Sequence, residues 1–159
     1  MKTILIYLTL LFTNLVLSQN HVNNKSERNK FNISLIENNN HNITSKKINK
    51  NEKFEGLFLG KIKVDNNKEY YIVSSTYFFN LESSPTAESH IFIYNTEKQY
   101  VGYYYLTSTI ERPTKLFNNK LHFNNNKCNK KTKINFSNGI PRLLKINCLD
   151  ESSYYEFKS

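Results

Sequence analysis

Apolar and polar positions divide this chain into three textures. Ile4 to Val16 is an apolar run broken only by Thr9, Thr13 and Asn14. Asn20 to Lys53 is polar except for a cluster at Phe31, Ile33, Leu35 and Ile36. From Phe54 onward, aromatic and β-branched residues recur in short runs bounded by Asn, Asp, Ser and Pro. No stretch sustains a 3.6-residue period, so the third region predicts an all-β domain over 54–159. Its first strand carries Phe54, Phe58, Ile62 and Val64 on one parity with Gly56 and Gly60, and Lys61 and Lys63 on the other. Glycines inside a strand mark a bend or a close backbone approach.

Further strands are predicted at Glu69 to Phe79, His90 to Asn95, Gln99 to Leu106, Lys115 to Phe117, Lys120 to Phe123, Lys131 to Phe136, Ile140 to Asn147 and Ser153 to Phe157. Short joins at Asp65-Asn66-Asn67, Asn95 to Lys98, Asn118-Asn119 and Ser137-Asn138-Gly139 read as hairpin turns, because Asn and Gly tolerate positive φ. Consecutive hairpins predict a small antiparallel meander, closed as a barrel or strongly curled, with a two-sheet sandwich as the alternative. The longer joins, Leu81 to Ser89 and Thr107 to Thr114, are the natural places for functional loops.

The first two textures read as an address and a spacer. One positive charge at Lys2, the apolar run and the Val16-Leu17-Ser18 ending have the form of a cleavable signal peptide over 1–18, too short to span a bilayer. The expected compartment is therefore exported, secreted or periplasmic, with no transmembrane segment in the mature chain. Residues 19–53 bury too little apolar surface to offset ordering entropy, and predict a disordered Asn/Lys-rich extension. Asn24, Asn32, Asn42 and Asn135 each open an N-x-S/T acceptor pattern, which Asn-rich composition produces readily.

Cysteine and charge sharpen this picture. Cys128 and Cys148 are the chain's 2 cysteines, and in an oxidising compartment a pair predicts a disulfide. If the 137–139 turn joins a hairpin, Phe136 faces Ile140, and the same register puts Cys128 opposite Cys148. The net charge of +9 is unevenly spread. Arg112, Lys115, Lys120, Lys127, Lys130, Lys131, Lys133, Arg142 and Lys145 form a basic block with no acid between Glu111 and Asp150, whereas 54–111 is net acidic.

Catalytic signatures are missing from the sequence. There is no G-x-S-x-G elbow, phosphate-binding glycine loop or H-E-x-x-H motif, and His21, His41, His90 and His122 lack paired metal-ligand spacing. No cofactor or metal is implied. The leading expectation is an exported, non-enzymatic β-domain with a basic and aromatic surface, or a barrel mouth. It would bind an anionic surface glycan, a lipid headgroup or an acidic protein, with nucleic acid disfavoured by export. Lys127, Lys130, Lys131, Lys133, Arg142, Tyr103 and Tyr105 are its candidate ligand contacts. The alternatives are a small exported hydrolase using Glu82, Glu88, Glu97 and Glu111 as loop carboxylates, and an inhibitor or accessory subunit.

Overall fold

A computed structural model describes residues 24–123, 130–148 and 151–159. It contains a helix, α1, over 24–37 and ten strands. These are β1 (Thr44–Asn49), β2 (Glu52–Lys63), β3 (Glu69–Phe79), β4 (Thr86–Asn95), β5 (Tyr100–Leu106), β6 (Lys115–Phe117), β7 (Lys120–Phe123), β8 (Thr132–Asn135), β9 (Leu143–Cys148) and β10 (Glu151–Lys158). A seven-stranded antiparallel sheet runs β1-β2-β3-β4-β5-β10-β9, and β6-β7-β8 form a separate three-stranded sheet.

The expected β-rich, antiparallel architecture is present, but it does not close into a barrel. The large sheet is open, with β1 and β9 as its edges. The meander breaks after β5: the chain leaves to build the small sheet, and β10 returns to pair with β5 only through Phe157 with Tyr104 and Lys158 with Tyr103. Leu121, Phe123 and Phe136 from the small-sheet segment share one core with Ile62, Ile72, Ile91, Ile93 and Tyr104 of the large sheet. The other face of the large sheet is covered by α1, where Phe31, Leu35 and Ile36 pack with Phe54, Phe58, Val73 and Tyr94.

This second core overturns the expected disordered extension for residues 24–53, and the predicted boundary at Phe54 falls inside β2. Read as a helix, the segment buries Arg28, Phe31, Asn32, Leu35 and Ile36, the i, i+3, i+4, i+7, i+8 stripe of an amphipathic helix. Two of those five positions are polar, so hydrophobicity alone conceals the stripe. The helix stops at Asn39, which adopts φ 48°. Asn39 N–H bonds Ile36 O at 3.1 Å and Asn40 N–H bonds Leu35 O at 3.0 Å, the left-handed cap that satisfies the last carbonyls. The chain then enters β1, which pairs antiparallel with β2.

Two registers also differ from expectation. β2 slips by one residue between Phe58 and Gly60, with Gly60 at φ 131°. This bulge sends Phe54 and Phe58 to the helix side but Ile62 and Val64 to the opposite core. The Ser137-Asn138-Gly139 turn exists, with Gly139 at φ 124°, but it does not join a paired hairpin: β8 pairs with β7, and β9 pairs with β10. The expected hairpin register, which would carry on from Phe136 facing Ile140 to Ile134 facing Arg142, is therefore absent, since Ile134 lies opposite Leu121.

Candidate ligand-binding cavity

Alternation on the central strands puts a run of rings on the helix side of the large sheet. β3 contributes Tyr77 and Phe79, β4 contributes His90, Phe92 and Tyr94, and β5 contributes Tyr103 and Tyr105. A register shift in β5, between the partners of Ile93 and Tyr94, returns Tyr100 to the same side, where its ring meets Phe92 and Tyr94. The first turns of α1 cover only part of this surface. Between helix and sheet lies a cavity of about 790 Å³, floored by Phe92 and Tyr94 and bordered by Tyr100, Tyr103, Arg28 and Glu88.

Arg28 supplies the charge. It is only 7% exposed, and its guanidinium carbon stands 5.0 Å from the centre of the Phe92 ring. Nε donates to Ser75 Oγ at 3.2 Å, and Nη2 donates to the carbonyls of Ser75 and Glu88. Among the described residues no carboxylate is within ion-pair distance of it, and Nη1 has no hydrogen-bond partner. Burial lowers its pKa to about 10, partly countered by the Glu88 charge, so the group remains a cation at neutral pH.

His90 sits beside it as a neutral ring. Burial first, and the charge of Arg28 second, push its pKa down to about 3. The imidazole packs on Phe92, Tyr103 and Tyr105 with centroid separations of 5.2, 5.0 and 5.1 Å. Its Nδ1 is buried without a hydrogen-bond partner, as is Asn32 Oδ1 on α1. Tyr94 links the layers: it accepts from Asn32 Nδ2 at 3.1 Å and donates to Asn29 Oδ1 at 3.0 Å. Burial raises its pKa to about 12, keeping the phenol protonated. At the rim, Tyr77 donates to Glu52 and accepts from Asn24 Nδ2 at 2.9 Å.

The sequence-predicted contacts separate into two groups. Tyr103 and Tyr105 stand on the helix-side face around His90, and Tyr103 borders the cavity. Lys133 lies on β8 of the small sheet, and Lys130 and Lys131 are exposed just before that strand. Arg142 is exposed and faces Glu156 at 3.4 Å. Lys127 and Cys128 fall outside the described residues, while Cys148 is buried at the end of β9. The glutamates considered for hydrolysis are also dispersed. Glu111 is buried, accepting from Ser153 and Tyr155 of β10, Glu82 faces Lys50 at 3.4 Å, and Glu88 borders the cavity. Among the described residues no group of three or more His, Cys, Asp or Glu is placed to hold a metal ion, and no helix is long and apolar enough to cross a membrane.

Arg28, missed in the sequence, is the most informative polar group at the cavity. It reads there as one more charge in Ser26-Glu27-Arg28-Asn29-Lys30; its spacing from Phe31, Asn32, Leu35 and Ile36 was the available signal. Comparison with protein-family models, curated proteins and solved structures gives no match for this chain.

Proposed function

We propose that this chain is an exported, non-enzymatic binding protein whose ligand is a small amphipathic anion, with an apolar body against Phe92, Tyr94, Tyr100 and Tyr103 and an anionic head on Arg28. The observation that carries this reading is a buried guanidinium, held by neutral acceptors alone, at the edge of an aromatic cavity. Burying a charge without an ion-pair partner is costly, and Arg presents a planar fork suited to carboxylates and other oxyanions. The volume of about 790 Å³ falls within the roughly 300–1,000 Å³ typical of small-molecule sites. Ring walls supply contact area, and the unpartnered His90 Nδ1 adds a polar handle. Export belongs to the same proposal and rests on the signal-peptide pattern of residues 1–18.

Calorimetric titration with dodecanoate and dodecanol tests it. The wild-type protein should prefer the carboxylate by about tenfold or more, the size of one charge-assisted hydrogen-bond contact. Arg28→Gln should erase that preference while Arg28→Lys retains part of it, with thermal melting used to confirm that each variant is folded. Equal affinity for acid and alcohol in the wild type, or no binding of either, overturns the reading.

A further inference from the structure

We propose that the outward face of the three-stranded sheet is a second binding surface, for a sulfated polysaccharide chain, independent of the cavity. Antiparallel register sets Lys115 of β6 opposite His122 of β7, and His122 opposite Lys133 of β8. The neighbouring row is Phe117, Lys120 and Asn135. Leu116, Leu121 and Ile134 occupy the alternate positions and pack inward on the main core. Lys115, Phe117, Lys120, Lys131 and Lys133 are all exposed. Adjacent strands are about 4.8 Å apart and alternate residues about 7 Å along a strand, so these cations share a compact patch.

Nothing on that sheet neutralises them. Residues 115–123 and 130–137 contain no Asp or Glu, and among the described residues Lys115, Lys120, Lys131 and Lys133 make no ion pair. Other lysines of the fold do: Lys46 with Glu27, Lys61 with Glu69 and Lys98 with Glu37. Like charges clustered on one face repel, so an anion spanning several lysines relieves repulsion as it binds.

A sulfated chain fits this face better than single-stranded nucleic acid. Lysine is a compact charge that meets sulfate without the planar fork needed for base recognition. Stacking of successive bases calls for several exposed rings, whereas Phe117 is the only aromatic residue exposed on this face among the described residues. The charged groups facing His122 are Lys115 on β6, Lys120 on its own strand and Lys133 on β8. Together with slight burial, which leads, they hold its pKa below the ordinary imidazole range. A bound polyanion would reverse the electrostatic part of that shift, making His122 a local reporter.

The test uses a size-defined heparin oligosaccharide and a single-stranded oligonucleotide of matched charge. Heparin should bind more tightly, with affinity falling as salt rises. Replacing Lys115, Lys120 and Lys133 together by Gln should weaken it about tenfold, as expected for the loss of three exposed charge contacts. Replacing Lys47 and Lys68 by Gln should leave it unchanged. Proton NMR should show the His122 pKa rising on heparin addition in the wild type. Undiminished heparin binding by the triple variant, a static His122 titration, or tighter binding of the oligonucleotide would each overturn the inference. Circular dichroism confirms that the triple variant is folded.

Discussion

Leu35 of α1 closes over Gly56 of β2 so tightly that a Cβ placed at position 56 would stand 2.6 Å from Leu35 Cδ1, with Phe31 Cε1 at 2.8 Å. Both side chains are almost wholly buried, at 2% and 4% exposure, leaving little room to retreat. The contact fixes α1 on the sheet, and α1 in turn supplies the Arg28 side of the cavity.

Gly56→Ala should therefore destabilise the protein by about 1–3 kcal/mol through overpacking. Phe31→Ala should cost about 3–5 kcal/mol through the lost ring and the cavity left behind. Urea unfolding monitored by circular dichroism measures both. Hydrogen exchange should show protected amides in the second half of α1, and limited proteolysis should not trim the chain to Phe54. A stable fragment starting at Phe54 would mean that the helix is dispensable.

His90 predicts a specific acid sensitivity. Its folded pKa is lowered to about 3 by burial and by the Arg28 charge, against about 6.5 in an unfolded chain. Between those values the unfolded state binds a proton that the folded state refuses, so stability falls as pH drops through that window. The His90 contribution approaches about 1.4 kcal/mol per pH unit. His90→Phe should remove it, visible as a shallower loss of unfolding free energy between neutral and acidic buffers. Parallel curves for wild type and variant would show that His90 is solvated.

A Cys128–Cys148 disulfide remains an expected outcome, on grounds different from hairpin register. Asn147 N–H donates to Thr132 Oγ1 at 2.9 Å, and that hydroxyl lies 3.3 Å from Asn147 O. Cys148 is thus next to a residue already tethered to the start of β8, only a few positions beyond Cys128. Mass spectrometry of the protein purified without reductant should give a mass two hydrogens below the dithiol form. Reduction should lower stability by roughly 3 kcal/mol in the chain-entropy account. Alkylation of both cysteines without reductant would refute the bridge.

Much of the strand layout was legible because its signals are local. Asn118 and Asn119 adopt φ 48° and 56° in the two-residue turn between β6 and β7, and β3, β5, β6 and β7 lie where alternation indicates. Features that depend on distant partners were not. The stripe of α1 is masked by Arg28 and Asn32, whose burial makes sense only once Ser75 and Tyr94 are opposite them. The Phe58 to Gly60 bulge divides residues that share a sequence parity between two cores. The 137–139 turn looks like a hairpin, but its flanking strands each find another partner. Tyr103 and Tyr105 stand out in the sequence without Arg28, the cation on the same face, because Arg28 lies four strands earlier in the chain.

The most direct measurement of the central claim is the location of the bound amphiphile. With dodecanoate added to isotopically labelled protein, intermolecular nuclear Overhauser effects should connect its chain to the Phe92, Tyr94 and Tyr103 rings, and the Arg28 Nε resonance should shift. Residues of β6 to β8 should remain unperturbed. Contacts confined to the exposed Phe117 or Tyr154, with Arg28 and Phe92 unchanged at saturation, would contradict the account.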